Sequence, residues 1–236
     1  MRIFFVLSLF FLSILNAETF LFTPPKDWEY ADPSKLTKHV HAGFVGKGSK
    51  DFRPSLNFAS ESLNNLSLEN YVNAVKELYV SDKTQDILDL GTLSTPIGNG
   101  RLLKIQSKNV YGNITILQFL FVHDNHTAYV ISGSVIQEEQ LQFYKIFLEV
   151  FRSIQFTKDL FDPITKPEEK ERLKKKYNEC LNWLLKEEKN KELSKKGKKI
   201  CDSFDAFLSK NHSSLGSYWK ILVLKKLMED FLASQK

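Results

Sequence analysis

The sequence predicts an α+β fold, an antiparallel sheet flanked by helices and followed by a small C-terminal three-helix module. Two observations carry this expectation. From residue 18 to 157, apolar residues alternate with a period of two, and only two helical stretches interrupt them. The order is strands, helix, four strands, helix, which is not the alternation of a parallel βαβ sheet. Beyond residue 167 the period becomes helical throughout.

The chain of 236 residues opens with Arg2 and an apolar stretch from Ile3 to Leu15 broken only by serines, then Asn16, Ala17 and the first acidic residue, Glu18. One positive charge, a short apolar run and a small exit residue make the pattern of a secretory signal peptide. The run is shorter than the ~20 apolar residues that span a bilayer. Residues 1–17 are therefore expected to be a signal peptide cleaved after Ala17, leaving a periplasmic or secreted chain without a transmembrane segment. Export makes nucleic acid a poor partner.

Thr19 to Phe22 reads as a short strand ended by Pro24-Pro25, and Lys38 to Val45 as a second strand closed by Gly46 and Gly48. In Pro54 to Glu61, Leu56 and Phe58 alternate with polar or small residues, so one face is buried. Ser67 is placed to cap a helix whose stripe is Leu68, Tyr71, Val72, Val75, Leu78 and Tyr79. Strands follow at Ile87 to Ser94 and Arg101 to Ser107, with a turn at Pro96 to Gly100. The two strongest, Asn113 to His123 and His126 to Val135, join through Asp124-Asn125. A two-residue turn there would pair Phe121 with Ala128 and Phe119 with Val130. Both faces of this hairpin are apolar, so each needs a cover. The helix at Leu68 supplies one, and a helix with the stripe Leu141, Tyr144, Leu148 and Phe151 supplies the other.

Residues 18–157 then form one α+β domain. Residues 158–167, with Pro163 and Pro167, read as a linker, and 168–236 as a basic helical module. Its stripes are Leu173, Tyr177, Cys180, Leu181 and Leu184, then Ile200, Cys201, Phe204, Phe207 and Leu208, then Tyr218, Trp219, Leu222, Leu227 and Phe231. The net charge of +5 is divided unequally, near −2 over 18–157 and near +6 over 158–236. Such asymmetry points to modules with different partners. In the second half, Lys174, Lys175, Lys176, Lys195, Lys196, Lys198 and Lys199 are the candidate binding residues for an envelope protein or an anionic envelope surface.

Several segments of the first half resemble the PsbP-like superfamily. They are Phe22, Pro24 and Trp28, then Pro54-Ser-Leu-Asn-Phe-Ala-Ser-Glu61 and Leu68-Glu-Asn-Tyr71. Asp89-Leu-Gly-Thr92, Gly98 to Gly100 and Ala128-Tyr-Val-Ile-Ser132 extend the likeness over roughly residues 18 to 156. That superfamily includes photosystem II extrinsic proteins and DcrB-type bacterial envelope proteins. The resemblance implies an antiparallel sheet with helical covers and a non-enzymatic binding or assembly role. A shared fold does not carry function, and no site residue is transferred from it.

Three constellations are candidates for chemistry. His123 and His126 flank the hairpin turn with Asp124 between them, and facing residues of a tight hairpin lie ~5 Å apart at Cβ. They could hold zinc or manganese if further ligands joined them. His39 and His41, two apart on a candidate strand, would share a face as a second metal pair. Cys180 and Cys201 lie on facing stripes equidistant from a polar stretch at 187–192, so a disulfide is expected between them. No nucleophile elbow, phosphate-cradling glycine loop or paired zinc-binding histidine motif is present in the sequence. The leading expectation is a non-catalytic exported binding or assembly factor without a cofactor. The alternative is a metal-dependent envelope enzyme or metal carrier built on the histidines.

Overall fold

A computed structural model describes residues 18–32, 34, 36–37, 39–48, 52–81, 85–187 and 194–234. The expected signal peptide, residues 1–17, lies outside the described residues, as do residues 188–193, which take in most of the polar stretch between the first two helices of the basic half. The chain divides into two compact units. One is Pro24–Ile154. The other joins the described residues up to Thr23 to everything from Gln155 onward.

The Pro24–Ile154 unit is an α+β sheet domain. Its strands are β2 (Glu29–Tyr30), β3 (Val40–Val45), β4 (Ser55–Ser62), β5 (Gln85–Thr95), β6 (Gly98–Asn109), β7 (Gly112–His123) and β8 (Thr127–Ile136). All neighbours are antiparallel, in the order β2-β3-β4-β8-β7-β6-β5. Strands β5 to β8 form a meander that returns to β4. Helix α1 (Leu68–Ser81) makes the crossover from β4 to β5. Ser67 accepts the backbone N–H of Asn70 at 3.3 Å, the cap its position predicts.

Each sheet face has its cover. On one, Tyr71 and Val72 of α1 pack with Leu103, Ile105, Leu120 and Ala128. The Tyr71 hydroxyl donates to Glu61, and Lys76 pairs with Asp89, tying the helix to the strands beneath. On the other lies α2 (Gln140–Arg152), which buries Phe151 of the expected stripe but turns its first two members outward. Leu141 is 87% exposed and Tyr144 is exposed, while Phe143, Phe147, Val150 and Phe151 are buried. Two apolar stripes overlap in this helix, and the sheet selects the aromatic one. Gly133 of β8 leaves the space that the Phe147 ring occupies, and Phe151 stacks on Phe119 at 5.7 Å between centroids. Trp28 adds edge contacts to Phe143 and Phe147.

The β7–β8 register also differs from expectation. Phe121 pairs with Tyr129 and Phe119 with Ile131, one residue beyond the predicted partners. Asp124 and Asn125 both adopt left-handed backbone, and His126 donates its N–H to the His123 carbonyl at 3.0 Å. His126 is thereby taken into the turn, and the strand begins at Thr127.

The second unit is discontinuous in sequence. Strand β1 (Thr19–Leu21) pairs antiparallel with β9 (Gln155–Thr157), and not with the seven-stranded sheet. Three helices follow, α3 (Pro167–Glu187), α4 (Lys195–Asn211) and α5 (Gly216–Ala233). Pro167 opens α3, where its missing N–H costs nothing. Ser194 caps α4 by accepting from the backbone N–H groups of Lys196 and Gly197. The core joins Leu21 to Leu173, Tyr177, Leu184, Phe204, Trp219 and Phe231. Residues 158–167, expected as a linker, contribute Leu160, Phe161 and Ile164 to this core. The Leu160 carbonyl accepts the Trp219 indole N–H at 2.6 Å. The boundary thus falls near Thr23 and Gln155 rather than at residue 157, because β1 finds its partner in β9.

Candidate functional site

The histidine pairs do not form the expected donor sets. With His126 drawn into the turn, it no longer faces His123 across the hairpin, whose ladder partner is Thr127. The His123 ring lies 3.2 Å from the Asp124 carboxylate and stacks beside Phe121. His39 stands in a turn before β3, while His41 sits where the β3–β4 register shifts between Val40 and Ala42. That irregularity removes the strict two-residue alternation that would have put both rings on one face. His41 Nε2 is 2.7 Å from Ser60 Oγ. Among the described residues, no three His, Cys, Asp or Glu side chains cluster as metal donors.

Cys180 and Cys201 lie on the facing stripes of α3 and α4, near enough for Cys201 to influence the ionisation of Cys180. No bridge joins the two in this structure. Burial pushes the Cys180 thiol up, which disfavours the thiolate that begins disulfide exchange.

Four of the seven candidate lysines line two concavities of the helical unit. Lys174 lines the larger, about 850 Å³, together with Lys158, Lys225 and Lys226. Glu18, Asp159, Glu229 and Asp230 line the same space, so it has no excess of either sign. Asp230 accepts from the Tyr177 hydroxyl at 2.7 Å and pairs with Lys226 at 3.1 Å. Burial, reinforced by that bond to Asp230, holds the Tyr177 phenol protonated far above its ordinary range. Much of the polar lining is thus engaged with itself.

The smaller concavity, about 360 Å³, runs between α3 and α4 and has a different character. Lys176, Glu179, Cys180 and Trp183 line it from α3, and Lys196, Lys199, Ile200 and Ser203 from α4. Each set is spaced i, i+3, i+4, i+7, the spacing of a single helix face. Cys180 and Ile200 supply its apolar part, and three ammonium groups face one carboxylate. Lys176 lies 3.5 Å from Glu179, an ion pair open to solvent and worth little in water. Trp183 is 52% exposed, and Lys196 Nζ sits 5.5 Å from its ring centroid. A cation over an exposed indole gains about 0.5–1 kcal/mol. The positive end of the α4 macrodipole lies beneath Lys195, Lys196, Lys198 and Lys199, with no acidic residue in the first turn.

Sequence reasoning found Lys176, Lys196 and Lys199 but missed Trp183. Its signal is the seven-residue offset from Lys176, which puts the indole on the lysine face instead of the buried Leu173–Tyr177–Leu184 stripe. Lys175, Lys195 and Lys198 line neither concavity, although all three are exposed.

The sequence matches no protein-family model and no curated protein. Among solved structures it is similar to LpqN, described as involved in cell envelope biogenesis of Mycobacterium tuberculosis. That likeness has a TM-score of 0.49 and 9% identity, over 60% of this chain and 85% of LpqN. It is also similar to the cyanobacterial PsbP (CyanoP) of Synechocystis sp. PCC 6803, with a TM-score of 0.43 and 10% identity, over 56% of this chain and 84% of that one. The Saccharomyces cerevisiae Ran-binding protein Mog1p gives 0.41 and 14%, over 59% and 95%.

Proposed function

We propose that this chain is an exported, non-catalytic binding or assembly factor of the cell envelope, with its partner contact on the helical unit. The observation that carries the reading is the α3–α4 groove, where Lys176, Lys196 and Lys199 surround a half-exposed Trp183. An exposed indole supplies contact area, and clustered positive charge attracts and orients an anionic partner. The sequence of residues 1–17 supports export, and the seven-stranded sheet with both faces covered supports a rigid scaffold role for the other unit.

Affinity capture from the native envelope, comparing the parent protein with a K176E/K196E/K199E variant, tests this reading. Capture of a consistent envelope component by the parent, lost in the variant, is the expected result. Equal capture by both would remove the groove from the function. A purified protein carrying stoichiometric metal that is lost on H123A/H126A would favour the metal-dependent alternative instead.

A further inference from the structure

Resting on that reading, we infer that the α3–α4 groove is a docking surface for an anionic phospholipid bilayer, with Trp183 as the residue that enters the interface. The charge is complementary, because Glu179 is the one carboxylate among the groove's lining residues against three lysines. Exposed Lys175, Lys195 and Lys198 on the same two helices extend the positive field beyond the groove. Near an anionic leaflet each such lysine contributes about 1 kcal/mol, roughly a fivefold gain in partitioning.

The chemistry of the rim favours a smeared anionic surface over a defined carboxylate partner. All its cations are lysines, point charges on flexible stems, without the planar fork with which arginine grips a carboxylate in two-point geometry. Their stems can lie along apolar surface while the ammonium groups reach phosphate oxygens. At about 360 Å³ the groove is at the lower end of ligand-site sizes, suited to a headgroup and its first methylenes. Trp183 stands at the same rim with an apolar ring and one N–H donor. That combination partitions to the boundary between headgroups and acyl chains. Ile200 and Cys180 give the groove an apolar wall beside the indole.

The test uses the processed protein with vesicles of neutral phosphatidylcholine or of phosphatidylcholine containing anionic phosphatidylglycerol. Co-sedimentation measures partitioning, and brominated lipids report tryptophan depth by quenching. The expected result is binding to the anionic vesicles at least tenfold tighter than to the neutral ones, weakening as salt rises. K176Q/K196Q/K199Q should lose that preference. W183F, which retains Trp28 and Trp219, should lose the quenching, with far-ultraviolet circular dichroism confirming that each variant is folded. Equal partitioning onto both vesicles, or onto neither, overturns the inference. If lysine-dependent capture from the envelope then persists, the binding-factor reading stands with a protein or polymer as partner. If capture is also indifferent to the lysines, both fall.

Discussion

Replacing Leu21 by alanine should destabilise the helical unit, although residue 21 lies more than 130 positions away from its partners in sequence. Leu21 is 2% exposed and shares a core with Leu160, Phe161, Tyr177 and Trp219. It is also the last residue of β1, paired with Gln155 of β9. Trimming the isobutyl side chain to a methyl forfeits about 2 kcal/mol of burial. The cavity left in a packed core brings the total to about 3 kcal/mol, within the usual range for buried leucine. For a unit of fewer than a hundred residues, each kcal/mol lowers Tm by about 4–8 °C, so a fall of at least about 10 °C is expected. Two tryptophans report separately, since Trp219 lies in this core and Trp28 packs on Phe143 and Phe147 in the sheet unit. Thermal unfolding followed by Trp219 fluorescence in a W28F/W183F background should show the fall. Trp28, followed in a W183F/W219F background, should shift less. A larger shift at Trp28 with none at Trp219 would place β1 with the sheet and refute the assignment.

Introducing a β-branched side chain by G133V should cost about 1–3 kcal/mol, because the Phe147 ring fills the space a Cβ would need; an unchanged urea midpoint would contradict this packing. His212 is buried between Phe207 and Trp219, with Glu169 and Arg172 as its charged neighbours, and its Nε2 is unsatisfied. Burial pushes its pKa down, helped by Arg172 and opposed by Glu169, so the unfolded chain binds the proton more readily. The neutral ring's contribution is complete above the unfolded value of about 6.5 and is lost as pH falls toward the lower folded value. The variant H212Q should flatten the stability–pH curve in that window, and an unaltered slope would sink the argument. In the reduced protein, iodoacetamide should modify the partly exposed Cys201 before the buried Cys180. Equal rates would contradict the burial of the Cys180 thiol.

Much of the architecture was legible because local signals and tertiary packing agree. Ser67 and the stripe Leu68, Tyr71, Val72, Val75 and Tyr79 announce α1, although Leu78, expected in the same stripe, is 70% exposed. Leu56 and Phe58 fall on the buried face of β4. The stripes of α3 and α4 reappear as the helical core. Three features were not local. The Gln140–Arg152 segment offers two apolar faces, and only the glycine at 133 on another element decides between them. The β7–β8 register depends on Asp124 and Asn125 both taking left-handed backbone, which no glycine advertises. Strand β1 is three residues long, and its equally short partner β9 sits immediately before the stretch whose prolines suggested a linker. For the site, charge density identified the lysines, but which of them share a groove follows from how α3 packs on α4. Trp183 escaped notice because a tryptophan between Leu181 and Leu184 reads as core until the helix face is counted.

The most direct test of the groove as the working surface is photo-crosslinking in the living cell from position 203, a lining residue whose replacement leaves Trp183 and the lysines intact. A photoreactive phenylalanine analogue at Ser203 should capture an envelope component. The adduct should vanish when K176E/K196E/K199E is added. The same analogue at the exposed Leu141 of the sheet unit serves as the control position. Capture from position 141 and none from position 203 would place the contact on the sheet unit and contradict the account.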